Sequence, residues 1–219
     1  MSKEKNRGKE AHDDACFGNP KQRQKIGEAI IDLSHLLSRG YAEKSSLLLV
    51  GNRYRLNARQ QKAVQGMSAS VEQCKFRNNS TLMAEDLEGQ DLIIDGFNVI
   101  ILLESFLSEA YVFKGVDGFY RDLSSVHGTY KKVQQTVRVI ELIAVFYLKE
   151  KLNKIHWVFD KPVSNSGRLK QMIEEKAFEN NYKWEVSLAF NPDKIIAESN
   201  QIALTSDAWI LDAAKKTLT

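Results

Sequence analysis

The chain has 219 residues, 43% of them hydrophobic and 27% charged, with a net charge of +3 and two cysteines. No apolar run approaches the ~18 residues of a membrane span, and Cys16 and Cys74 alone cannot build a disulfide scaffold or a structural zinc site. The first twenty residues are polar and hold no signal-peptide core, so the expectation is a cytoplasmic protein without a membrane partner, long enough for one full domain and a smaller one.

The charge is unevenly spread. Residues 1–20 balance, residues 21–80 hold eleven Lys/Arg against four Asp/Glu, and residues 81–219 hold sixteen against twenty. A basic third joined to an acidic remainder points to a polyanion-binding part beside another task, the plain alternative being a solvated helical surface.

Residues 1–19 read as a disordered arm. Asn19-Pro20 then reads as an N-cap with proline at the first helical position, and Ile26, Ile30, Leu33 and Leu37 recur at helical spacing up to Gly40. An apolar stretch, Leu47 to Val50, ends in Gly51-Asn52. Asn57 with Gln60 forms a capping box for a helix that carries Val64, Met67 and Val71. Residues 20–78 are therefore expected to form a small basic helical region, in which Arg53, Tyr54, Arg55, Arg59 and Lys62 would grip a nucleic-acid backbone and stack a base.

The pattern changes after the polar segment from about Arg77 to Gln90. Leu92-Ile93-Ile94 predicts a buried strand ending in Asp95-Gly96, and a helix after it carries Glu104. Strands are expected over Ile155–Phe159, Trp184–Phe190 and Ile202–Thr205, with helices from about Lys132 to Lys151, around Leu169, Ile173 and Ala177, and from about Asp193. Alternating strands and helices imply a mostly parallel sheet covered on both faces.

Ligands bind beyond the carboxyl ends of such strands. Three of them end in a carboxylate there: IIDG (Asp95), WVFD (Asp160) and LTSD (Asp207), with Asp193 of FNPDK just past the third strand. Converging carboxylates repel one another unless a cation neutralises them. Oxygen ligands of this kind select Mg²⁺ or Mn²⁺, which take substrate phosphates as further ligands and promote in-line displacement at phosphorus. The plain alternative is that each Asp is a turn residue or helix cap, which applies most readily to Asp193 in Asn-Pro-Asp.

Several further residues could back this rim: Ser206, Glu104, Asp212 five residues past Asp207, and Asp117 and Asp122 in VDGFYRDLSSVHG. Arg121 of that segment is a candidate substrate contact, or simply the salt-bridge partner of Asp122. His127 reads as an ordinary polar loop residue. After Asp160, the KPVSNSGR segment offers Ser164, Asn165 and Ser166 at a helix start, either as phosphate contacts or as plain caps. No G-x-G-x-x-G, G-x-x-x-x-G-K-[ST] or G-x-S-x-G is present, which removes the usual dinucleotide, P-loop and serine-hydrolase readings.

The run DLIIDGFNVI (91–100) resembles the opening strand of the PIN-like nucleases, especially their NYN branch. The order of Asp160, Asp193 and Ser206-Asp207 follows that branch as well. Over roughly residues 20–219 the chain also resembles a prokaryotic family called Domain of Unknown Function 434, through LVGNRYRLNARQ, DGFYRD, HGTY, VFDKPVSNSGR and TSDAWILD. The resemblance implies a PIN-like three-layer α/β/α domain over 79–219 and metal-dependent hydrolysis of RNA. It makes Asp95, Asp160 and Asp207 the catalytic, Mg- or Mn-binding acids, Asp193 a fourth ligand, and Asn98 an orienting or substrate contact. The competing readings are a non-catalytic PIN-like module that binds RNA or protein, and a Mg²⁺-dependent small-molecule phosphatase. Phe97 counts against the phosphatase, since it stands where an aspartyl-phosphate enzyme wants its second Asp.

Overall fold

The structure is a computed structural model that describes residues 8–124 and 130–218, so His127 lies outside the described residues. From residue 84 onward the chain builds a three-layer α/β/α domain. The central strand is β1 (Asp91–Asp95), followed by α5 (Gly96–Leu107), a hairpin of β2 (Val112–Lys114) and β3 (Tyr120–Asp122), and α6 (Thr136–Lys149). Then come β4 (Lys154–Asp160), α7 (Ser166–Glu179), β5 (Trp184–Ala189), α8 (Pro192–Glu198), β6 (Ile202–Leu204), α9 (Ala208–Leu211) and β7 (Thr217–Leu218). The strands lie in the order β5-β4-β1-β6-β7, all parallel, with Asp95 beside Val158 and Ile94 beside Leu204.

The period of two divides each strand between two cores. Leu92, Ile94, Trp157 and Phe159 pack with α5, α6 and α7. Ile93, Val158 and Ala203 pack with Ile196 of α8 and Ile210 of α9. The same alternation turns Asp95 and Asp160 toward the α8 side. From β1 the chain steps outward to β4 and β5, then returns across the sheet to β6 and moves the other way. Because crossovers are right-handed, that reversal sends α8 to the opposite face from α5–α7 and opens a crevice beyond β1 and β6.

Four helices precede the sheet: α1 (Pro20–Ser38), α2 (Glu43–Arg53), α3 (Ala58–Met67) and α4 (Val71–Ser80). Asn19 caps α1 through the Lys21 amide, and Gly40, at φ +78°, takes the left-handed turn after it. The Asn57–Gln60 capping box is present. Val71, however, opens a separate helix rather than continuing α3, because Ser70 and Gln73 form a second capping box.

One expectation is corrected here. Residues 8–19 are folded rather than a loose arm: a π-helical turn over Asp14–Gly18 buries Cys16 and Phe17 against the helical unit. The segment after α5 includes the β2–β3 hairpin; its Phe113, and Leu123 just past it, join the helical unit's core, with the Phe17 and Phe113 rings 5.0 Å apart. Among the described residues no helix is long and apolar enough to cross a membrane.

Candidate functional site

The carboxyl edge of the sheet gathers the four acids from separate elements. Asp95 ends β1, Asp160 ends β4, Asp193 stands in the first turn of α8, and Asp207 caps α9. Asp95 is buried, and its Oδ2 accepts from the Thr205 hydroxyl at 2.8 Å. That hydroxyl in turn accepts from the Asp207 amide at 3.0 Å, so Thr205 ties the ends of β1 and β6 together across the crevice. Asp207 Oδ1 accepts from the Trp209 and Ile210 amides, at 2.9 and 3.2 Å. Asn98 Oδ1 accepts from both the amide and the hydroxyl of Ser206, at 2.8 and 2.9 Å, which pins the same loop to the first turn of α5.

The electrostatics are those of uncompensated negative charge. Burial pushes the Asp95 carboxyl up to about 7, and the charges of Asp207 and Asp193 push the same way against the Thr205 hydrogen bond. Burial also raises Asp193, with Asp207 and Asp160 adding to it, and burial alone raises Asp160. None of the four takes part in an ion pair among the described residues. In chemistry the donor set suits a hard divalent ion. In placement, no three His, Cys, Asp or Glu side chains among the described residues stand close enough together to hold one. Mg²⁺ commonly needs only one or two carboxylates, with water and substrate phosphate filling the rest.

The residues expected to back the rim are mostly elsewhere. Glu104 is buried beneath α6, its Oε1 accepting from the Tyr130 and Thr136 hydroxyls at 2.5 Å each, so it does not turn to the rim. Asp122 accepts from the Ser105 hydroxyl and the Ser124 amide. Asp212 pairs with Arg77 at 2.7 Å. Asp117 is buried between Arg77 (2.5 Å) and Arg121 (2.6 Å). Burial would raise its carboxyl, but the two guanidinium groups outweigh that and hold it below the usual range. Arg121 therefore pairs with Asp117 rather than Asp122, and its Nε donates to the Ser206 carbonyl at 3.1 Å, beside the rim loop. A cleft of about 640 Å³, lined mainly by apolar side chains such as Val99, Phe106 and Ile143, ends at Thr205 and Ser206.

The basic side chains of the helical unit are largely committed to the fold. Arg59, expected to grip a backbone, instead binds Asp13, Glu10 and the Gly8 carbonyl, and holds the N-terminal segment down. Lys62 donates to the Leu123 and Ser124 carbonyls of the hairpin. Arg53 pairs with Asp32 at 3.3 Å, and Tyr54 donates to the same carboxylate at 2.9 Å. Arg55 is exposed, with φ +48°. In the loop after Asp160, the Asn165 amide donates to the Tyr130 carbonyl at 2.8 Å, the Ser164 carbonyl accepts from the Tyr130 amide, and Ser166 is buried, so the loop grips Tyr130.

Thr205 and Arg77 are the two residues that sequence reasoning passed over. The hydroxyl in LTSD was a visible signal for Thr205. Arg77 carried none, because its partners lie 40 and 135 positions away.

Comparison with known proteins divides the chain where the fold does. The model of a family described as Domain of unknown function (DUF5616) matches residues 84–219, the α/β domain. That of Protein of unknown function (DUF434) matches residues 25–79, the helical unit, so the likeness to that family stops short of the sheet instead of running to residue 219. An uncharacterized protein of Methanocaldococcus jannaschii is 28% identical over 186 residues, covering 85% of this chain and 88% of its own length. No solved structure matches the chain.

Proposed function

The chain belongs to the DUF5616 family, and from the chemistry of its carboxyl edge we propose that it is a PIN-like, Mg²⁺- or Mn²⁺-dependent ribonuclease. One observation carries the reading: Asp95, Asp160, Asp193 and Asp207 come from four elements to the switch point of a parallel sheet, with no ion-pair partner among the described residues. The likeness of DLIIDGFNVI to the NYN nucleases supports it.

Asp95 and Asp207, tied through Thr205, would be the first ligands of the ion, with Asp160 and Asp193 adding negative charge around it. When bound, such an ion offsets the carboxylates and stabilises charge that develops on phosphate oxygens. Asn98 holds Ser206 and so fixes the loop that presents Asp207.

The test is cleavage of single-stranded and structured RNA with Mn²⁺ and with a chelator. Metal-dependent cleavage that falls by about two orders of magnitude or more in Asp95→Asn supports the reading. RNA left intact by well-folded protein with Mn²⁺ overturns it. That no three His, Cys, Asp or Glu side chains among the described residues stand within reach of one ion favours a second reading, in which the rim is structural and the chain binds RNA without cutting it. That reading expects binding in chelator that Asp160→Asn leaves unchanged.

A further inference from the structure

A second cleft, of about 620 Å³, opens on the α7 side of the sheet. Its walls include Lys131 and Lys132 from the segment leading into α6, Arg168 from the first turn of α7, and Tyr130, Asn165 and Glu175. Three cations and one acid thus line it, leaving net positive charge, and Glu175 accepts from the Gln171 amide at 2.8 Å. Lys132 and Arg168 are exposed and make no ion pair or side-chain hydrogen bond among the described residues.

This is unlike the treatment of charge elsewhere in the molecule, where Arg59, Arg77 and Arg121 are all spent on internal carboxylates. Like charges brought into one concavity repel, and low-dielectric walls concentrate their field on whatever enters. One part of the wall is pinned by hydrogen bonds. Tyr130 is buried, donates its hydroxyl to Glu104, and is held on both sides of its peptide by Ser164 and Asn165. A planar guanidinium beside ammonium groups matches phosphate oxygens, and the volume exceeds that of a bare phosphate and suits a nucleotide.

We propose that this cleft is a binding site for the phosphate of a nucleotide unit, with Arg168 and Lys132 as its principal contacts. The loop from Lys161 to Asn165 leads from Asp160 to the cleft, so a strand lying across this edge would meet both. The site concerns binding alone and stands whether or not the rim cuts.

The test is equilibrium binding in chelator, so that nothing is cleaved, with three probes: inorganic phosphate, a nucleoside monophosphate, and a short labelled single-stranded RNA. Lys132→Gln with Arg168→Gln should weaken RNA binding about tenfold or more. It should also lower the slope of log affinity against log salt by about 1.4, at about 0.7 for each phosphate no longer neutralised on a single strand. Lys149→Gln with Lys151→Gln, the same charge removed at the amino end of β4, should leave both unchanged. Binding of the monophosphate as well as the RNA identifies a free nucleotide as a sufficient ligand; binding of the RNA alone identifies a strand. Protection of Arg168 from arginine-specific modification by the bound probe reads the site in unaltered protein. The proposal fails if the unaltered protein binds none of the probes, or if the double variant binds as it does. An inactive Asp95→Asn enzyme that still binds RNA through Arg168 separates this site from the rim.

Discussion

Asp95 stands at the end of an apolar strand, in a place where a charged carboxylate is poorly solvated. Its folded carboxyl keeps its proton up to about pH 7, whereas the unfolded side chain releases it near 3.8. Between those values the folded state binds more protons at Asp95, so in chelator the Asp95 contribution to stability should fall as pH rises from about 4 to about 7 and then level. Thermal unfolding across that range checks this, with Asp95→Asn flattening the Asp95 contribution and gaining roughly 1–3 kcal/mol over the parent above pH 7. Added Mn²⁺ should raise the melting temperature of the parent above pH 7 and not that of the variant. Equal shifts in both would remove Asp95 from the ligand set. Asp95 and Asp160 were legible because each closes an apolar strand, a pattern read from neighbours in sequence; Asp207 was picked out by the same pattern but stands three residues past β6, as the cap of α9. The roles of Arg59 and Asp117 were not, because a charge count is blind to pairing: Arg59 meets Asp13 46 positions away, and Asp117 meets Arg77 40 positions away.

At the scale of elements, the start of α5 shows how packing fixes the rim. A Cβ on Gly96 would lie 2.3 Å from the Phe159 ring, so the residue following Asp95 must be glycine for β4 to pass. Gly96→Ala should destabilise the protein by about 1–3 kcal/mol, measured by urea unfolding, and reduce any activity of the rim with it. An unchanged midpoint would mean that Phe159 swings aside freely. The longer strands and helices could be read from their periods. The three-residue strands of the β2–β3 hairpin and the two-residue β7 could not, since they are too short for a period of two to show, whereas the equally short β6 was marked by its apolar residues and the polar Thr-Ser-Asp after them. The break between α3 and α4 was readable in principle. Ser70 and Gln73 repeat the spacing of Asn57 and Gln60, but Val64, Met67 and Val71 at helical spacing masked it.

For the whole molecule, Arg77 is the tie between the two regions. From α4 it reaches Asp117 of the hairpin and Asp212 beyond α9, and it is 2% exposed. Arg77→Met leaves Asp117 with one partner fewer in a buried place, and should cost about 3–5 kcal/mol. If the ties hold the regions together, calorimetry of the parent shows one transition and the variant begins to show two. A variant as stable as the parent would make the pair incidental. The +3 of the full sequence is thus neither spread evenly nor divided cleanly, because part of the basic third is buried against carboxylates of the acidic part. The central place of β1 has a further consequence during synthesis. Leu92, Ile93 and Ile94 are made early, yet one neighbour begins at Lys154 and the other at Ile202, and the Asp95–Thr205 bond spans 110 positions. At about 5–20 residues per second, that apolar strand waits about 5–20 s for its second partner. Its most aggregation-prone moment therefore falls on the ribosome, where a chaperone that shields apolar strands would most affect the yield of folded protein.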